Sequence, residues 1–185
     1  MPLRVNLLPY YLGQNNHGTK YGSTIISNII RKQNKNTKIN NLPKINKYDN
    51  IHTLQKYIMN NLKTDAKKIV NIGGDHTISI GTIPPMIEKY PNLKVLWVDA
   101  HADINNKLNS PSNNIHGMPV YYLSELYRYD NALKLDNLMY MGLRDVDSFE
   151  EYLINKHMIN FMHADNLCET KLQNFVGDDP IHVSF

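Results

Sequence analysis

A chain of 185 residues, 42% of them hydrophobic, has room for one domain with a sizeable core and is too apolar for wholesale disorder. Its formal net charge of +3 is mild and spread along the sequence, which offers nucleic acid no dedicated basic face. The single cysteine, Cys168, excludes an intramolecular disulfide and fits a reducing, cytoplasmic setting. Arg4 and Asn6 interrupt the only apolar N-terminal stretch, so no signal peptide is expected, and no apolar run approaches the length of a membrane span. The abundance of Asn, Ile, Lys and Tyr reads as coding bias.

Val5 to Leu8 suits a first strand, followed by loop chemistry in Gly13-Gln14-Asn15-Asn16-His17-Gly18. Ser23 is placed to cap a helix carrying Ile25, Ile26, Ile29 and Ile30. Residues Lys32 to Tyr48 are polar, with room for a short edge strand around Ile39. Asp49 or Asn50 can cap the next helix, on which Ile51, Leu54, Ile58 and Leu62 form one apolar stripe. Ala66 to Ile72 reads as a strand, then comes Gly73-Gly74-Asp75-His76 and a helical stretch to about Tyr90. Lys94 to Val98 is the next strand, and Asn105 to Pro119 a long polar loop of the kind that is functional or disordered. Leu138 to Met141 is a strand running into Gly142-Leu143-Arg144-Asp145-Val146-Asp147, and Ser148 with Glu151 has capping-box spacing for the helix after it. Met158 to Met162 suits a short strand, and Ile181 to Phe185 another. Strands alternating with helices, without tight hairpin signals, predict a parallel sheet covered on both faces, with no internal repeat and no domain boundary.

The most informative chemistry is Asp99-Ala100-His101-Ala102-Asp103, directly after the buried strand Lys94 to Val98. In extended backbone, alternate side chains project to one side, so Asp99, His101 and Asp103 are expected to converge. They would do so at a strand's carboxyl end, where open α/β sheets hold their ligands. His76 follows the strand ending at Ile72, His116 sits near the end of the long loop, and Asp145 and Asp147 follow the strand around Tyr140. Mixed imidazole and carboxylate donors suit Mn, Fe or Zn better than Ca or Mg. An Asp between two such ions can bridge them, and His116, if free of metal, is a natural proton shuttle near neutral pH.

Plainer roles stay open on spacing alone. His76 by itself fits a hydrogen-bonded loop residue, and His116 a structural one. Asp147 fits a helix cap, and Gly73-Gly74 an ordinary tight turn. His17, His52, His157 and His163 show no ligand spacing, and Cys168 lies in a polar stretch without an activating base.

Taken together, the segments resemble the arginase branch of the ureohydrolase family. Gly73-Gly74-Asp75-His76 looks like that family's first motif and Asp99-Ala100-His101-Ala102-Asp103-Ile104-Asn105 like its second, at similar spacing. Gly13-Gln14 and Gly18 resemble the N-terminal segment, and Ser184-Phe185 the start of a third motif, Ser-Phe-Asp-x-Asp. The resemblance implies a three-layer αβα fold with a mostly parallel sheet, here a single domain over residues 1–185, incomplete at the C-terminus. It implies two manganese ions, one held by His76, Asp99 and Asp103 and the other by His101 and bridging Asp99. It also implies that Asn105 and Ser112 hold the carboxylate of L-arginine and that Asp147 holds its α-amino group, with Glu150 assisting through water and His116 shuttling the proton. Water activated between the ions would then attack the guanidinium carbon, giving ornithine and urea.

In that family the third motif supplies two more aspartates, which would fall just past Phe185. Two unit charges about 4 Å apart repel by roughly 4 kcal/mol at an effective dielectric near 20, and two dications by about four times that. Asp99 and Asp103 alone offset four positive charges poorly. The expectation is therefore at most one weakly bound ion, and little or no activity from these 185 residues alone. The family's last strand lies between the strand before Gly73 and the one ending at Phe185, so both are expected to show unpaired edges. The partners expected are L-arginine and either a complementing C-terminal fragment or further copies of the chain, with no nucleic acid and no membrane. The alternatives are a non-catalytic relic or partner subunit of an arginase, and an agmatinase-like ureohydrolase.

Overall fold

The computed structural model describes residues 3–14, 17–33, 37–44, 50–127 and 131–185. Asn15, Asn16 and Asp49, read above as loop and cap residues, lie outside them. The chain divides into two compact units, Met1–Thr82 and Ile83–Phe185, each with its own parallel sheet.

In the first unit the elements are β1 (Leu3–Leu7), α1 (Gly22–Gln33), β2 (Lys38–Asn41), α2 (Ile51–Asn61), β3 (Lys68–Ile72) and α3 (Ser79–Thr82). The sheet order is β2-β1-β3, with Asn6 in register with both Asn40 and Asn71. These three asparagines form a ladder across the sheet. The Asn40 amide donates to Asn6 Oδ1 at 2.9 Å, and the Asn6 amide donates to Asn71 Oδ1 at 2.8 Å and to the Lys63 carbonyl at 3.1 Å. Asn6 is fully buried, and these bonds make that tolerable, because an unpaired buried amide is costly. The ladder gives at least three of the chain's many asparagines a structural reason that composition did not suggest.

Helix α1 departs from expectation. Ser23 is its second residue rather than its cap, and Ser23 and Ser27 are the buried positions. Ile25, Ile26 and Ile29 are 58%, 45% and 50% exposed, while Ile30 packs against Val5, Leu7 and Ile72. Small serines let the helix approach closely, and its apolar ridge faces outward. Helix α2 follows the sequence reading: Asn50 Oδ1 accepts the Thr53 N–H at 3.0 Å, and Ile51, Leu54 and Ile58 are buried. Beyond β3, Gly74 passes so close to the Tyr10 carbonyl that a Cβ would meet its oxygen at 2.2 Å, so only glycine fits there.

In the second unit the elements are α4 (Pro84–Lys89), β4 (Lys94–Val98), α5 (Pro119–Leu123), β5 (Leu138–Leu143), α6 (Ser148–Lys156), β6 (Asn160–His163), α7 (Glu169–Val176) and β7 (Ile181–Ser184). The sheet order is β6-β5-β4-β7, all parallel, with Trp97 opposite Tyr140. Alternation along the strands builds two cores. Val95, Trp97, Leu138 and Tyr140 pack with Ile83, Val120, Leu123, Leu153 and Ile154 from α4, α5 and α6 and their caps. Leu96, Met139 and Met162 pack on the other face with Leu172, Phe175 and Val176 of α7. Helices thus cover both faces, giving the three-layer α/β arrangement expected. Strand β6 starts later than read, because Met158 takes a left-handed φ of 49° and is exposed. Among the described residues β3 pairs only with β1 and β7 only with β4, and Ile181 and Val183 of β7 are exposed. No helix among the described residues is long and apolar enough to cross a membrane.

Candidate metal and substrate site

The polar cluster of the second unit is built where β4 and β5 end. The Asp99 N–H donates to the Met141 carbonyl at 3.1 Å, and Arg144 and Asp145 both donate to the Ala100 carbonyl at 3.0 Å, which ties the two strand ends together. Gly142 takes φ 89° between them, a left-handed value that strains any residue with a Cβ.

The geometry corrects the simple picture of extended alternation. The strand stops at Val98, the chain bends through Asp99 to His101, and Asp103 adopts φ 51°. Aspartate tolerates this conformation better than most residues. Its carbonyl accepts the Val120 N–H at 2.9 Å, fixing it against α5. Two of the three side chains still approach each other: a carboxylate oxygen of Asp99 and one of Asp103 lie within 4.8 Å. His101 Nδ1 is 3.2 Å from Asp99 Oδ1, and its Nε2 is 3.5 Å from Asp145 Oδ2, with the imidazole half exposed. Two carboxylates this close repel unless a cation stands near them, and with an imidazole alongside they form an oxygen and nitrogen donor set suited to a first-row divalent metal. The donors fit a metal.

In the first unit, His76 opens the 3-10 turn His76–Ile78 beyond β3. Asp75 organises that turn, accepting the Gly13 N–H at 2.9 Å and the Thr77 N–H at 3.0 Å.

A second network adjoins Asp103. Asp147 is the N-cap of α6: its Oδ1 accepts the N–H groups of Phe149 at 3.0 Å and Glu150 at 2.9 Å. Its Oδ2 accepts from the Asn105 amide. The capping box is therefore Asp147 with Glu150, one residue earlier than Ser148 with Glu151. Spacing left Asp147 as either cap or binding residue, and its two oxygens let it cap the helix while facing Asn105.

Glu150 is 6% exposed. Its Oε1 accepts the Ile104 N–H at 3.2 Å and its Oε2 the Asp147 N–H at 3.3 Å. Burial, and then the Asp147 carboxylate beside it, raise its pKa from 4.5 to about 7, against the opposing pull of those two N–H groups. Tyr140 is fully buried, its hydroxyl has no partner among the described residues, and burial with the charges of Glu150 and Asp103 pushes its pKa well up. The sequence reading missed Tyr140 and the backbone N–H of Ile104. The D-x-x-E spacing of a capping box was the available signal for the Glu150 connection.

The long loop is folded by its own side chains. Asn106 Oδ1 accepts the N–H groups of Leu108 and Asn109, and Ser110 Oγ that of Asn113. Ser112 is exposed, its Oγ accepting the Asn114 N–H at 3.2 Å, and His116 sits half-buried in the turn Ile115–Gly117. The structure thus draws Asn105, Asp147 and Glu150 into one network, brings Asp99 and Asp103 together, and sets His101 between Asp99 and Asp145. Ser112 and His116 follow on the loop.

A family model described as the arginase family matches residues 8–185. The arginase of Plasmodium berghei is 30% identical over 181 residues, covering 84% of this chain and 51% of that protein. Among solved structures, the arginase of Bacillus subtilis superposes with a TM-score of 0.81 at 28% identity, covering all of this chain and 74% of that one. The arginase of Entamoeba histolytica in complex with L-ornithine also gives 0.81, at 25% identity, covering all of this chain and 75% of that one. The chain spans about half the length of the curated relatives it matches.

Proposed function

We propose that this chain, which belongs to the arginase family, carries the metal-holding and amino-acid-reading part of a hydrolase that cleaves the guanidinium of L-arginine to ornithine and urea. The observation that carries the reading is the approach of the Asp99 and Asp103 carboxylates within 4.8 Å, adjoining the bonded pair Asn105 and Asp147. The L-ornithine complex of the Entamoeba histolytica relative supports the choice of substrate class.

In this reading Asp99, His101 and Asp103 hold manganese, and the family resemblance adds His76 as a ligand. The metal would supply the Lewis acidity that makes water a nucleophile near neutral pH. Asp147 accepts hydrogen bonds from the substrate ammonium: its Oδ2 keeps a lone pair beyond the one given to Asn105. Asn105 and Ser112 donate to the substrate carboxylate, and His116 carries the proton to the leaving amine. The two carboxylates of Asp99 and Asp103 offset about one dication, so one weakly held ion is proposed for these residues. We take the compartment to be cytoplasmic.

The test is manganese-dependent urea release from L-arginine, by the chain alone and mixed with the C-terminal portion of a relative. Release in the mixture, lost when Asp99 or Asp103 is changed to Asn, is expected. No release in either preparation, with both polypeptides folded, contradicts the proposal. Agmatine hydrolysed in preference to arginine would move the reading to an agmatinase-like enzyme.

A further inference from the structure

We infer that Glu150 is a positioning residue: it clamps the backbone just after Asp103 to the first turn of α6, and so sets the spacing between Asn105 and Asp147. For its substrate consequence this inference rests on the arginine reading above.

The argument starts from how the side chain spends its oxygens. Glu150 belongs to α6, yet Oε1 accepts from Ile104, which lies 46 positions earlier in the loop beyond β4. Oε2 accepts from Asp147, the cap of its own helix. One residue on from Ile104, Asn105 reaches across to Asp147 Oδ2. The connections form a closed ring: the main chain from Ile104 to Asn105, the Asn105 amide, Asp147, the first turn of α6, Glu150, and back to the Ile104 N–H. Two links at adjacent positions fix an orientation where one link leaves a pivot.

Electrostatics make the clamp necessary. Glu150 and Asp103 are buried and Asp147 is half-buried, and the charges of Asp147 and Asp103 both act against a charged Glu150. The N–H groups of Asp147, Phe149 and Glu150 at the start of α6, joined by the Ile104 N–H from the loop, bind the carboxylates of Glu150 and Asp147, an arrangement that tolerates anions at a helix N-terminus. Because Ile104 follows Asp103 directly, the same clamp holds Asp103 in its left-handed conformation.

The experiment uses the whole chain as wild type, Glu150→Ala, the near-isosteric Glu150→Gln, Asp147→Ala, and the double variant Asp147→Ala with Glu150→Ala. Two readouts are taken: amide hydrogen exchange at Ile104, and L-arginine affinity by calorimetry in the presence of Mn2+. The clamp predicts Ile104 exchange faster by about tenfold in Glu150→Ala and by less in Glu150→Gln, which keeps one acceptor, with exchange in the last turns of α6 unchanged. It predicts an arginine Kd weakened by about tenfold in Glu150→Ala, and a loss in the double variant smaller than the sum of the two single losses, because Glu150 acts by placing Asn105 and Asp147 against each other. Unchanged Ile104 exchange in both Glu150 variants overturns the clamp. Additive losses in the double variant also overturn it, because Glu150 would then act on the substrate directly. Accelerated exchange at Ile104 together with a wild type that binds no arginine leaves the clamp standing and removes the substrate reading instead.

Discussion

The two sheets are built on the same parallel plan and stabilised in opposite ways. In the first unit the middle strand buries Asn6 and satisfies it through Asn40, Asn71 and Lys63, while the covering helix α1 turns its serines and Ile30 inward and Ile25, Ile26 and Ile29 out. In the second unit the middle strands carry Val95, Trp97, Leu138 and Tyr140 into one core and Leu96 and Met139 into another. The polar chemistry there is displaced beyond the strand ends. A sheet closed by apolar layers can concentrate its acids at one edge, because the packing beneath them does not depend on them. A sheet held by an internal amide ladder has its polar residues committed to structure.

The contrast breaks first at Trp97. Replacing this fully buried side chain by Ala should cost about 3–5 kcal/mol, read as a shift in the urea midpoint by far-UV circular dichroism. A loss below about 1 kcal/mol would mean that the apolar layers do not carry the second unit.

Next in size is the pH dependence set by Glu150. Its folded carboxyl keeps its proton to about 7 against an ordinary 4.5, so the folded state binds more protons between those values. The resulting stabilisation is complete below pH 4.5 and is lost as pH rises through about 7, worth at most ~3 kcal/mol. Urea midpoints of the metal-free chain should fall from pH 5 to pH 8, and Glu150→Gln should flatten that slope. Equal slopes in both proteins would remove the buried acid from the account.

In the first unit, Asn6→Ala removes the bonds that Asn6 makes to the Lys63 carbonyl and N–H, to Asn71 Oδ1 and to one N–H of the Asn40 amide, for a cost of about 1–3 kcal/mol. Smallest of all, Ile26→Ala on the exposed ridge of α1 should change stability by no more than about 0.5 kcal/mol. A larger effect from Ile26 than from Asn6 would reverse the comparison.

Much of this was legible in the sequence, and the exceptions share a cause. Strands such as Lys94–Val98 and the stripe on α2 announced themselves because burial imposes a period on apolar residues. Helix α1 misled because its apolar period is real but faces outward, and a moment gives a face without saying what covers it. The asparagine ladder was invisible because its members come from three separated strands. At the site, the approach of Asp99 and Asp103 comes from a bend and a left-handed Asp103 that alternation does not encode. Asp147 shows why spacing could not choose between cap and binding residue: one oxygen serves each purpose.

The most direct test of the central claim is a calorimetric titration of Mn2+ into the purified chain, repeated with Asp103→Asn. The account predicts one weak site, lost in the variant, with the far-UV spectrum unchanged. Two tight sites, no binding at all, or a site indifferent to Asp103 would contradict it.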